Sequence, residues 1–294
     1  MRDYAALIGE LAVSRVVGTP GHASVRDVLK RELGARGFVV MEHRFRAPLH
    51  RPLWGQVPTE AVNLIGVRPR ARVTTWLAAH YDSKGQPVSM AGRLILAAAC
   101  LVAGVAGLGA VAAGGPLLAL APAALLPALF IGLSRVTARS PGAVDNGSGL
   151  VTVLATLDAL PADAPVGVLF PDAEEFGLRG AQALARERAN LLADTAVINF
   201  DGVDDRGGVT AFVHKAGATV DRIVGGLAAR RLRWLPVVVD GLRLRHAARE
   251  CVTIMRGDWG TTRVVHTPRD TPDRLTLDGA REVARAVAAA LFPG

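Results

Sequence analysis

The sequence predicts an α/β domain with a largely parallel sheet, interrupted by an inserted apolar helical hairpin. Three observations carry this. Apolar runs of strand length recur along the chain, each followed by polar residues, with helical patterns between them. The 34 basic and 26 acidic side chains are absent from residues 94–134, a stretch of 41 residues that also lacks histidine and side-chain amides. Outside it, charge reaches about the usual one residue in four. Residues 1–93 and 135–294 therefore read as one domain and residues 94–134 as an insertion. This composition excludes disorder, collagen and a disulfide scaffold.

The elements follow in order. The first 20 residues include Asp3 and Glu10 and have no unbroken apolar core, which reads against a signal peptide. Val25, Val28, Leu29 and Leu33 form a helical stripe closed by Gly34 and Gly37, and Phe38-Val39-Val40 reads as a strand. Residues 73–79, 166–170 and 196–200 have strand character, whereas 149–160 and 178–188 read as helices. In sheets of this kind the ligand crevice lies at the carboxyl ends of the strands. The chemically loaded residues fall there.

As one helix, the insertion would extend about 60 Å, roughly twice the hydrocarbon thickness of a bilayer. Gly114-Gly115-Pro116 divides it, which predicts two spans, residues 94–113 and 117–133. Lys84 and Arg93 precede the pair and Arg135 and Arg139 follow it, so both flanks lie on one side, the cytoplasmic one by the positive-inside tendency. The alternative is a hairpin buried in a large soluble fold. Residues 1–93 carry a net charge of +7 against +1 after residue 134, which favours an anionic membrane surface and makes membrane lipid the expected partner of residues 94–134. Nucleic acid is not expected, because the arginines are scattered without a finger, basic helix or stacking motif. Cys100 and Cys251 read as free thiols, in keeping with a reducing compartment.

Five positions carry the chemistry: His80, Asp145, the pair Glu174-Glu175, Asp201 and His266, read as five successive strand ends. His80 and Asp82 are two apart, so an extended backbone points them to one side. Asp145 stands among the small residues of Gly142-Ala143-Val144-Asp145-Asn146-Gly147-Ser148-Gly149. Adjacent carboxylates at a buried strand end are costly without a cation, and two imidazoles with three carboxylates suit two zinc ions sharing one carboxylate. His22, His43, His50, His214 and His246 have no ligand partner at useful spacing and read as structural or surface residues.

With these motifs in order, the chain resembles the zinc aminopeptidases of clan MH, the aminopeptidase Y and aminopeptidase S group with the bacterial leucyl aminopeptidases. The resemblance runs from Gly18-Thr19-Pro20-Gly21-His22 through Asn63-Leu64-Ile65-Gly66, Ala79-His80-Tyr81-Asp82-Ser83, Asp172-Ala173-Glu174-Glu175 and Asn199-Phe200-Asp201 to residues 266–271. It implies a three-layer sandwich with a central, mostly parallel sheet flanked by helices, and two Zn(II). Asp145 would bridge both ions, with His80 and Asp201 completing one site and Glu175 and His266 the other. Asp82 would orient His80, and Glu174 would be the general base in removing N-terminal residues from a peptide with a free N-terminus. Glutaminyl cyclisation, which uses one zinc in this clan, and a membrane-anchored binding module without turnover are the alternatives. The sequence departs from the pattern in two places. The insertion replaces a short loop between Asp82 and Asp145, and Arg249-Glu250-Cys251-Val252 stands where relatives commonly have a glycine and proline turn.

Overall fold

The computed structural model describes residues 3–51, 55–234 and 237–292, without the side chains of residues 48–51 and 55–58. In chain order the elements are α1 (Tyr4–Leu11), α2 (Pro20–Gly34), β1 (Val39–Arg51), β2 (Gly55–Val67), β3 (Thr75–Ala78), α3 (Met90–Ala112), α4 (Ala121–Leu133), α5 (Gly149–Ala159), β4 (Val166–Phe170), α6 (Arg179–Glu187), α7 (Ala189–Leu192), β5 (Ala196–Val203), β6 (Gly208–Lys215), α8 (Ala218–Gly226), β7 (Arg230–Leu232), α9 (Gly241–Leu244), β8 (Glu250–Gly257), α10 (Trp259–Thr262) and α11 (Asp278–Leu291). The strands form one sheet in the order β1-β2-β4-β3-β5-β8-β6-β7. Its centre, β4-β3-β5-β8, is parallel. The β1–β2 hairpin, the β2–β4 pair and the β6–β8 pair are antiparallel.

The central strands read as continuous apolar runs because both of their faces are covered. Leu77, Val168, Ile198 and Val252 join one core with residues of α1, α2, α5, α8 and α11. Their neighbours Trp76, Ala78, Leu169, Val197 and Cys251 join another with α6, α7 and α9. Period-two alternation along each strand thus builds the expected three layers. Residues 149–157 of α5 are all buried, which is why that helix is apolar around its whole circumference.

Several bounds differ from expectation. The helix read over residues 25–33 starts at Pro20, where the Thr19 hydroxyl accepts from the His22 amide and proline occupies the first turn. The short strand at residues 38–40 is the start of a long antiparallel hairpin. Asp145 and His266 are not at strand ends: Asp145 sits in a kinked turn over Ala143–Ser148, and His266 follows α10. Asp201 lies inside β5, between Phe200 and Val203, where the pairing with β8 shifts register. Such an irregularity re-aims a side chain that a regular strand would point elsewhere.

The insertion is a pair of helices. α3 is long and apolar enough to cross a membrane, and only 6% of its most apolar stretch is buried. Within this chain, α3 is therefore not enclosed by the rest of the fold. The second arm is shorter, a 3-10 turn over Leu117–Leu120 followed by α4, with Pro127 inside the helix. Gly107 lets the arms meet, since a Cβ there would stand 2.8 Å from the Ala119 carbonyl oxygen. Both cysteines are free, Cys100 on α3 and Cys251 in β8.

Candidate metal centre

The parallel strands deliver most of the site at their carboxyl edge. His80 and Asp82 follow β3, Glu174 and Glu175 follow β4, and Asp201 comes from the irregular part of β5. Asp145 arrives on a turn held from several directions. Its amide and that of Val144 donate to the Asp270 carboxylate at 3.2 and 2.7 Å, and the Asn146 side chain donates to the Phe200 carbonyl at 2.9 Å while accepting from the Gly202 amide at 3.1 Å. Gly142 opens this turn at φ 65°, and a Cβ there would lie 2.3 Å from the Asp145 carbonyl oxygen. Only glycine meets both demands.

These elements bring the side chains into two groups, His80 with Glu174 and Asp201, and Asp145 with Glu175 and His266, whose potential ligand atoms lie within 4.8 Å of one another in each group. Asp145 stands between the two imidazoles: His80 Nε2 is 3.2 Å from its Oδ1 and His266 Nε2 is 3.0 Å from its Oδ2. His80 Nε2 also lies 3.8 Å from Asp201 Oδ1, and His266 Nε2 lies 3.1 Å from Glu175 Oε1. His266 Nε2 and Glu175 Oε1 are buried yet make no hydrogen bond. Nitrogen and oxygen ligands about 2.0–2.1 Å from a tetrahedral ion stand about 3.3 Å apart. The donor set and its spacing therefore fit metal ions, and the buried atoms without partners are those an ion would engage.

The charges fit as well. Burial works against ionisation of Asp145, yet the imidazoles of His266 and His80 beside it hold its carboxyl well below the usual range. Glu175 is brought down to about 2 against the effect of burial, by His266 and by Lys84, whose ammonium lies 2.8 Å from Glu175 Oε2. Burial would lower His266, but Glu175 and Asp145 raise it to about 9. Glu174 behaves differently: burial, reinforced by Asp201 and Glu175, holds its carboxyl well above the usual range despite His80. The carboxylates around His80 and His266 thus favour positive charge at the imidazoles, the electrostatic position that bound metal ions would take.

Asp82 contacts more than His80. His80 Nδ1 lies 3.2 Å from the Asp82 carbonyl oxygen and 3.4 Å from its Oδ1, while the two carboxylate oxygens accept from the Glu174 and Glu175 amides at 3.0 and 3.1 Å. Sequence reading gave no role at the site to four further residues. Asp270 holds the Asp145 turn, and Lys84 donates to the Glu175 carbonyl as well as pairing with its carboxylate. Arg15, completely buried, joins the loops of Asp82 and Asp145. Asp240, before α9, is fully buried with neither carboxylate oxygen hydrogen-bonded, and burial holds its carboxyl well above the usual range. Of the histidines read as structural, His22 is buried and pairs with Asp172 at 2.8 Å, His43 pairs with Glu187 and His214 with Thr253. His246 is exposed, and the His50 side chain lies outside the described residues.

A mixed sheet between helices, with histidines and carboxylates gathered at its carboxyl edge, defines a metal-dependent enzyme of the zinc-exopeptidase fold. The chain belongs to peptidase family M28, whose model matches residues 63–291. It is similar in structure to a Zn-dependent exopeptidase from Parabacteroides distasonis, at 18% identity over 99% of this chain and 96% of that one, with a TM-score of 0.67. It is equally similar to a glutaminyl cyclase from Porphyromonas gingivalis, at 18% identity over 98% and 95% and a TM-score of 0.67. A zinc aminopeptidase from Bacillus subtilis matches at 12% identity over 98% and 94%, with a TM-score of 0.64. At these identities the structures share the fold.

Proposed function

We propose that this protein is a membrane-held dinuclear zinc aminopeptidase that removes N-terminal residues from peptides. The observation that carries the reading is the placement of Asp145, one oxygen toward His80 and the other toward His266. A carboxylate so placed would serve two ions, with His80 and Asp201 completing one set of holders and Glu175 and His266 the other. A one-zinc cyclase needs a single set, and the presence of residues for two favours the two-ion reading. Metal ions held there would polarise a scissile carbonyl and acidify a water. Glu174 would take a proton from the attacking water and pass it to the departing amine: its carboxyl sits beside His80 and Asp201, and burial raises its proton affinity. Asp82 fixes the position of Glu174 by accepting its amide hydrogen.

Residues 1–93 and 135–294 form the peptidase domain in this reading. Residues 94–134 enter and leave the bilayer from the cytoplasmic side, supported by the exposed apolar length of α3 and the basic flanks. The test is metal content together with turnover. We expect two zinc ions per chain, hydrolysis of aminoacyl chromogenic substrates, and a Glu174→Gln variant that keeps its zinc while losing several orders of magnitude in kcat. One zinc with cyclisation of glutaminyl peptides would instead identify a cyclase. Two zinc ions with no hydrolysis of any free-amino substrate would identify a binding module.

A further inference from the structure

The inserted hairpin forms one wall of the cavity that opens from the metal centre, a space of about 860 Å³. Met90, Arg93, Leu94 and Ala97 of α3 and Phe130 of α4 line it. The foot of α3 is bonded directly to the site: the Gln86 amide donates to the His266 carbonyl at 2.8 Å and the Met90 amide to the Val265 carbonyl at 3.4 Å. Arg93 lies over the Phe130 ring, 5.3 Å from its centroid, and bonds to Gln86, which fixes the two arms to each other at their base.

With 3.6 residues and 5.4 Å per turn, Met90, Leu94 and Ala97 fall on one face of α3 and span roughly 10 Å along its axis, starting at Met90, whose amide bonds to Val265. The same face continues through Leu101, Val105 and Leu108, which are 70%, 66% and 64% exposed. One apolar stripe therefore runs from beside His266 to the outer surface of the hairpin. Trp259 and Val238, 53% and 63% exposed, stand in the lining of the same cavity. Tryptophan at such a rim suits a membrane interface.

An extended peptide rises about 3.3 Å per residue. With its amino end at the metal groups, the three residues beyond the scissile bond span the part of the stripe inside the cavity. Polar side chains there would lose water against an apolar wall, whereas apolar ones would bury surface. The geometry points to a substrate class: peptides with a free amino end followed by three apolar residues, delivered from the bilayer along α3. This rests on the aminopeptidase reading and on insertion of the hairpin.

The experiment uses the zinc-loaded, detergent-solubilised full chain and two tetrapeptide amides with the same first residue, Leu-Phe-Leu-Leu and Leu-Ser-Gly-Ser. We expect kcat/KM at least tenfold higher for the apolar peptide, a preference of about 1.4 kcal/mol. In a Leu94→Asn, Ala97→Asn double variant that ratio should fall at least fivefold with zinc content unchanged. Leu125→Ser, exposed on α4 and outside the cavity lining, should leave both values within twofold. A wild-type ratio below two, or a ratio unchanged in the double variant, overturns the inference while leaving the aminopeptidase reading intact. If neither peptide is hydrolysed, the aminopeptidase reading fails. Calorimetric Kd values for the same peptides then decide the inference: a tenfold preference lost in the double variant supports it, and equal affinities overturn it.

Discussion

Arg15 should be the residue outside the metal set on which the site most depends. Its guanidinium is completely buried and donates from Nε to the Tyr81 carbonyl at 2.8 Å and from Nη2 to the Gly142 carbonyl at 2.9 Å, with Nη1 shared among the Leu11, Val13 and Pro141 carbonyls. Tyr81 precedes Asp82 and Gly142 opens the turn of Asp145, so one side chain joins the two loops between which the hairpin is inserted. The Gly142 carbonyl also accepts from the Gly147 amide at 3.0 Å. Arg15→Met would strand the Tyr81 and Pro141 carbonyls, each at about 1–3 kcal/mol. A loss of about 2–6 kcal/mol is large against a total stability of about 5–15 kcal/mol. For a chain of this size it corresponds to a fall of roughly 5–20 °C in Tm. Burial lowers the Arg15 pKa, and Asp145, Asp270, Asp82 and Glu175 support its charge, so removal also raises repulsion at the site. Thermal unfolding of the zinc-loaded protein, with zinc content after a chelator challenge, provides the measurement. Arg15→Lys should recover only part of the loss, because an ammonium cannot match the planar fork. An Arg15→Met protein that melts within 2 °C of wild type and keeps its zinc would refute the reasoning.

Asp145→Ala should lose both zinc ions together rather than one, read by mass spectrometry of the native protein; retention of one ion at full affinity would argue against a shared carboxylate. Asp205 should contribute to stability in a pH-dependent way. Burial opposes its ionisation, but the amides of Gly279, Thr276 and Leu277 bring its folded pKa below the ordinary value. The contribution is present above the unfolded value of about 3.9 and lost as pH falls through the lower folded value, so Asp205→Asn should be less stable than wild type in urea at pH 7 and approach it below pH 3.9. Equal stability at pH 7 would contradict this. Replacing residues 94–134 by a short Gly/Ser loop should give a soluble protein that retains its zinc, and recovery of that protein in carbonate-washed membranes would sink the anchoring claim.

The parts of the fold legible in the sequence are those whose burial is uniform. β3, β4 and β5 are apolar without interruption because helices cover both faces, and the hairpin is legible because nothing polar interrupts it. β6 and β8 were not legible: Glu250 opens β8 as a buried carboxylate, which accepts from the Thr219 and Val220 amides of α8 and pairs with the adjacent Arg249. The residues gathered at the metal centre were named from the sequence by their types and order, yet their supports were not. Arg15 reads as one arginine among 31. The turn at Asp145 depends on Asp270, 125 residues away, and on Arg15, 130 residues away in the other direction. His266 reaches the centre from a left-handed backbone at φ 67°, a conformation that no local residue pattern around it announces.

The long insertion leaves the site intact because its feet are stapled below the point where the helices begin. Gly85 and Thr137 exchange backbone hydrogen bonds at 2.7 and 2.8 Å, an isolated antiparallel bridge across the neck. Gln86 adds a side-chain donation to the Ser134 carbonyl at 3.3 Å and a backbone donation to His266. For the sheet, the connection between Asp82 and Asp145 is therefore closed at residues 85 and 137, whatever lies beyond. The entropy of closing the longer connection grows only logarithmically, by about 0.6 kcal/mol per doubling of loop length. The staple and the Arg15 fork hold the two loops together independently of the hairpin. The same staple ends on the carbonyl of His266, so the neck that isolates the site from the length of the insertion also fixes its apolar face beside the metal groups.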